Sequence, residues 1–134
     1  MSLGYGGFAR KVAEDELTVI YEYGAYNLNE EKYRNPNTIY DGIITIDKTA
    51  LVEPEIHKRI KRHPSGRKEQ IIKRIPQHVG FDALFEARKI TVENSRFCWK
   101  YIENVGVSAF RLIYKIFDEY QIEGKLPDST GYDV

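Results

Sequence analysis

Apolar and polar positions alternate between residues 17 and 23. Leu17, Val19, Tyr21 and Tyr23 fall on one side of an extended chain, and Thr18, Ile20 and Glu22 on the other. A period of two belongs to a strand half-buried in a sheet. Residues 8–12, Phe8-Ala9-Arg10-Lys11-Val12, form a shorter run of the same kind, and the acidic Glu14-Asp15-Glu16 between the runs predicts the turn of a hairpin. The polar stretch 27–38 contains Asn-Pro-Asn and reads as a loop. Residues 39–46 are dense in β-branched side chains and predict the next strand. Gly42 inside that strand marks a bulge or a close backbone approach.

Beyond residue 50 the pattern changes. Pro54 is placed to open a short helix over 55–61, with Ile56 and Ile60, four apart, on its buried side. His63-Pro64-Ser65-Gly66 breaks it. Residues 67–75, with Ile71, Ile72 and Ile75, suit a helix or a strand equally, and Pro76 ends them. Residues 81–121 predict helix, with Ile90-Thr91-Val92 as a break or a short strand. Cys98, Ile102, Val105, Ala109, Leu112 and Ile116 recur at spacings of 4, 3, 4, 3 and 4, a heptad-like apolar seam. Either one helix runs through Gly106, or Gly106 ends a first helix and Ser108 caps a second. Ile113, Phe117 and Tyr120 widen the seam into a face suited to packing on a sheet. Gly124 and Pro127 end the element, and residues 127–134 read as a mobile tail. The expectation is an α+β fold: an antiparallel sheet of three or more strands from the N-terminal part, packed by C-terminal helices, in one domain over residues 1–126.

Composition narrows the class. With 134 residues, 42% hydrophobic and 30% charged, the chain has a globular balance. A chain of this length buries roughly two-thirds of its unfolded surface and needs no disulfide or metal staple. The single cysteine, Cys98, excludes an internal disulfide framework and suits a reducing compartment, so a cytoplasmic location is expected. No apolar run reaches the roughly 20 residues of a membrane span, and residues 1–7 lack the regions of a secretory signal. No membrane partner is therefore expected. Net charge is zero but unevenly spread: residues 1–56 hold five basic and ten acidic side chains, 57–78 eight and one, and 79–134 seven and nine.

That basic block supplies the leading candidate site. Lys58, Arg59, Lys61, Arg62, Arg67 and Lys68 surround the Pro64-Ser65-Gly66 turn, and Lys73 and Arg74 follow. Arginine offers a planar fork to phosphate or carboxylate, and Ser65 and Gly66 could expose backbone N–H groups to an anion, aided by a helix dipole if a helix began at Arg67. The plain alternative is a solvated charged face. Tyr21, Tyr23, Tyr26, Tyr33 and Tyr40 could stack on unpaired bases beside such a basic edge, or pack as core-edge residues.

Catalytic signals are weak. His57, His63 and His78 match no compact zinc spacing, and no cofactor or metal is implied. Cys98 on the seam reads as a small buried hydrophobe, Asp82 and Glu86 as exposed helix residues, and Tyr132-Asp133-Val134 as an ordinary terminus.

The preferred expectation is a non-enzymatic binding or regulatory domain that contacts an anionic partner, nucleic acid or acidic protein, through residues 57–74. Neutralising Arg59, Arg62, Arg67 and Lys68 should then weaken binding and flatten its salt dependence. One alternative is an enzyme acting on a phosphorylated substrate or RNA, with His57 or His63 as acid–base groups beside arginines. Another is a structural subunit that forms a homodimer through the C-terminal helical seam.

Overall fold

Val19, Tyr21 and Tyr23 lie in β2 (Thr18–Asn27), which pairs antiparallel with β1 (Tyr5–Glu14). The computed structural model describes residues 3–134; Met1 and Ser2, part of the N-terminal segment considered above, lie outside the described residues. The hairpin is longer than its apolar run because glycines and tyrosines continue the ladder past Phe8. β3 (Gly42–Asp47) pairs with the other edge of β2, and β6 (Ile90–Glu93) with β3. β9 (Ser129–Asp133) pairs with β1. Among the described residues these five strands form one antiparallel sheet in the order β6-β3-β2-β1-β9.

Period two decides which side of this sheet is dry. Ala9, Val19, Tyr21, Tyr23, Ala25, Ile44, Ile46 and Ile90 are buried on one face, against α2 (Val107–Glu123). Ala109, Leu112, Ile113, Ile116 and Phe117 fill the facing stripe of that helix at the 3-and-4 spacing of an amphipathic helix. The expected α+β arrangement is therefore present, with one long C-terminal helix covering the sheet. Leu17 falls outside the strand and is 73% exposed. Gly42 is a close approach: any Cβ there would strike the Tyr23 ring. Among the described residues no helix is long and apolar enough to cross a membrane.

Several local expectations are corrected. Residues 55–61 are not helical, and Ile56 and Ile60 are not buried. They lie in β4 (Glu55–Arg62), paired with β5 (Lys68–Ile75) from Glu55↔Ile75 to Arg62↔Lys68. The two runs are symmetric about the Pro64-Ser65-Gly66 turn, so each satisfies the other's backbone, and their isoleucines favour extended chain. No helix starts at Arg67.

The helix expected over 81–121 is likewise broken. α1 spans only Phe81–Glu86, and Ile90-Thr91-Val92 is strand, one of the two forms anticipated. Glu103 and Asn104 both take positive φ, 49° and 69°, as a tight hairpin turn between β7 (Tyr101–Ile102) and β8 (Val105–Gly106) requires. Only Ala109, Leu112 and Ile116 of the seam are helical, and the chain's own sheet covers them, so the seam joins helix to sheet rather than chain to chain. Gly106, not Ser108, occupies the N-cap position of α2, and Ser108 is buried within it. Residues 127–134, expected as a tail, supply β9 instead, because β1 offers an open edge of backbone donors and acceptors.

Candidate functional site

The basic segment is a two-stranded arm whose root is tied to the last turns of α2. The Tyr120 hydroxyl donates to the Glu53 carboxylate just before β4. After β5, the buried Gln121 side chain accepts from the Gln77 N–H and donates to the Gln77 carbonyl at 2.9 Å. The Arg74 guanidinium lies against Gly124, where α2 ends in a left-handed turn, a position in which a cation is favoured by the helix dipole. From this root β4 is exposed along its whole length, and β5 is half-buried only at Ile71 and Ile75. Eight residues per strand give an arm about 26 Å long at about 3.3 Å per residue.

Strand pairing sorts the cations by face, since directly opposed residues in an antiparallel pair point the same way. One face carries Lys58, Arg62, Lys68 and Arg74, with Ile56, Ile60, Ile72 and Gln70 between them and no carboxylate. Ile56 is 49%, Ile60 65% and Ile72 54% exposed. Among the described residues none of these four cations is in an ion pair. The opposite face holds Arg59, Lys61 and Lys73 together with Glu55 and Glu69, so its charge is nearly balanced. Arg62 stands directly across from Lys68, a like-charge pair that weakens the hairpin. The tip holds Ser65, Gly66 and Arg67. The Gly66 N–H closes the turn on the His63 carbonyl at 2.9 Å, which removes it as an anion donor.

The structure therefore brings four of the ten expected site residues onto one face and separates the rest. Sequence reasoning missed the isoleucines of that face and the anchors Tyr120 and Gln121. The isoleucines of β4 had a signal, the alternation Ile56-Lys58-Ile60-Arg62. The anchors had none.

The other candidates fall elsewhere. His57 bonds Glu55 at 2.8 Å and His63 bonds Glu69 at 3.0 Å. His57 lines an open hollow of about 370 Å³ with Lys58, Arg59, Ile71 and Lys73; His63 lies about 20 Å farther along the strand at about 3.3 Å per residue and does not line it. The convergence of both histidines with the arginines that acid–base chemistry would need is not formed. His78 lines a separate hollow of about 350 Å³ beside Phe81 and Asp118 at the arm root. Among the described residues no group of three or more His, Cys, Asp or Glu is placed to hold a metal ion.

Tyr21 and Tyr23 are in the core. The Tyr21 hydroxyl donates to the Pro127 carbonyl at 2.6 Å, and Tyr23 accepts from the Ser95 N–H at 3.0 Å. Tyr26 and Tyr33 are half-buried, and the Tyr40 ring is covered by Phe8 and by the Arg10 guanidinium at 3.9 Å. These tyrosines form no open stacking platform beside the arm. Cys98 is buried, 3.7 Å from the Tyr23 hydroxyl, and burial pushes its thiol pKa up. Asp82 and Glu86 are exposed on α1. Searches of protein-family models, curated proteins and solved structures found no match to this chain.

Proposed function

We propose that the chain is a non-enzymatic binding domain that presents the β4–β5 arm to an acidic protein surface. The observation that carries this is the composition of one arm face: among the described residues Lys58, Arg62 and Lys68 have no ion-pair partner, three isoleucines are exposed and no carboxylate is present, while Arg74 on the same face is engaged at the end of α2. Cations alone would serve for phosphate. Exposed isoleucines on the same face gain free energy only where the partner also offers apolar surface, and a partner with carboxylates around an apolar centre satisfies both. A bound role is also supported by the arm's build, since a two-stranded hairpin is marginal in water on its own and beyond its root this one has only its own pairing, with Arg62 opposed to Lys68.

A second reading is favoured by the arm's shape: a basic two-stranded ribbon fits the major groove of a duplex. Fluorescence anisotropy separates the two. The probes are an acidic amphipathic peptide of Glu, Phe and Leu, and a duplex DNA, each at low and moderate salt. The expected result is peptide binding that falls about tenfold both in Lys58→Gln/Arg62→Gln/Lys68→Gln and in Ile60→Ser, as desolvated charges and buried apolar anchors dominate such interfaces. Tight duplex binding with a steep salt slope, lost on charge neutralisation but indifferent to Ile60→Ser, would replace the protein partner with nucleic acid.

A further inference from the structure

Resting on the arm as a contact for an acidic and partly apolar protein surface, we propose that its partner is a second copy of this chain. The receiving surface is a groove of about 600 Å³ between α1, the β7–β8 turn and α2. Its apolar lining is Phe85, Ile102, Val105 and Phe110, with the Phe85 and Phe110 rings 5.1 Å apart and Ile102 54% exposed. Its polar lining is Asp82, Glu86 and Glu103, and no lysine or arginine lines it. Among the described residues none of these three carboxylates is in an ion pair.

Groove and arm face are complementary in both respects that matter. Carboxylates without cations meet cations without carboxylates, and the exposed Ile102, flanked by the half-buried Phe85, Val105 and Phe110, meets exposed isoleucines. Within one chain the two surfaces are not joined, since Ile56, Ile60, Ile72 and Ile102 all remain about half exposed or more. The arm is rooted at Gln121 near the C-terminal end of α2, while Phe110 lies near its start, about 16 Å away at about 1.5 Å per residue. Glu103 is held in the groove by a left-handed backbone that a glutamate rarely adopts, and the Asn94 side chain fixes that turn by donating to the Asn104 carbonyl at 2.7 Å and accepting from the Gly106 N–H at 2.9 Å. A chain of zero net charge built from a basic arm and an acidic remainder is also one for which like copies do not repel.

A charge-swap experiment tests the pairing, read by analytical ultracentrifugation of the full chain. One variant reverses the arm, Lys58→Glu/Arg62→Glu/Lys68→Glu; another reverses the groove, Asp82→Lys/Glu86→Lys/Glu103→Lys. The wild type is expected to self-associate reversibly and less at high salt, and each variant alone to do so at least about tenfold more weakly. Mixing the two variants restores association, because each then offers the charge the other's surface lacks. That recovery also shows that both variants fold. A wild type that stays monomeric at millimolar concentration, or a mixture that remains monomeric while both variants keep the wild-type circular dichroism, overturns the second copy as partner. If the wild-type arm nevertheless binds the acidic amphipathic peptide and the arm variant does not, the arm's function stands and only its partner changes. If neither the peptide nor a second copy binds, both ideas fall.

Discussion

Tyr23 does three jobs with one side chain. Its ring fills the space left by Gly42 on the neighbouring strand, and its hydroxyl accepts from the Ser95 N–H and touches the Cys98 sulfur. Tyr23→Phe keeps the ring but leaves the buried Ser95 N–H without that acceptor. Urea denaturation should show a loss of about 1–3 kcal/mol, the cost of an unsatisfied buried donor. The inward direction of Tyr23 was legible, because alternation along a strand is a local property. Its hydroxyl partners were not, because Ser95 is 72 residues away and reaches Tyr23 only through a loop that apolar spacing had suggested as helix. Gly42 was legible for the opposite reason: a glycine in a β-branched run announces a missing Cβ, whatever fills the gap.

At the level of elements, the arm depends on α2. Gln121 holds both backbone groups of Gln77, and Tyr120 holds Glu53, so the two strands leave the body at positions set by the last turns of one helix. Gln121→Ala should cost about 1 kcal/mol in global stability, because water can replace part of the lost bonding at the half-exposed root. Amide exchange should speed up at residues 77–79 and along the arm while β2 and β3 stay protected. Similar loss of protection across the whole sheet would show that Gln121 supports the core instead. The arm was the least legible element. Its isoleucines suited a helix at spacing four as well as a strand at spacing two, and no burial arbitrates between them. Backbone pairing across the turn decides it, and residue patterns within either run do not contain that pairing.

For the whole molecule, the buried tyrosines set the alkaline limit. Burial raises the pKa of Tyr21 and Tyr23 well above the ordinary tyrosine value of 10.0, and the hydrogen bond to the Glu53 carboxylate, with burial, pushes Tyr120 up to about 12. Folded-state values above the unfolded one mean that the stabilisation is complete below about pH 10 and is lost as pH rises beyond it. The melting temperature should hold steady up to about pH 10 and then fall, with tyrosinate absorbance from Tyr21 and Tyr23 arriving only as the chain unfolds. Tyr120→Phe should spare the core and loosen the arm alone.

The sequence by itself determined the sheet's inner face from Val19 onward, the presence of a loop after β2 (though it runs on to Asp41, where strand is expected from Ile39), the end of α2 at Gly124 and the concentration of positive charge at 57–74. Each follows from short-range chemistry: side-chain period, turn-forming residues and local charge. Only the tertiary structure decided that residues 55–75 are an exposed hairpin, that 98–106 is a loop and tight turn rather than the start of a helix, and that the last residues close the sheet edge. These outcomes rest on backbone partners far away in the chain. The same pairing turned an undivided basic block into two unlike faces, one nearly neutral and one carrying Lys58, Arg62, Lys68 and Arg74 among exposed isoleucines. Charge is written in the composition, whereas the side of the molecule that displays it is fixed by register.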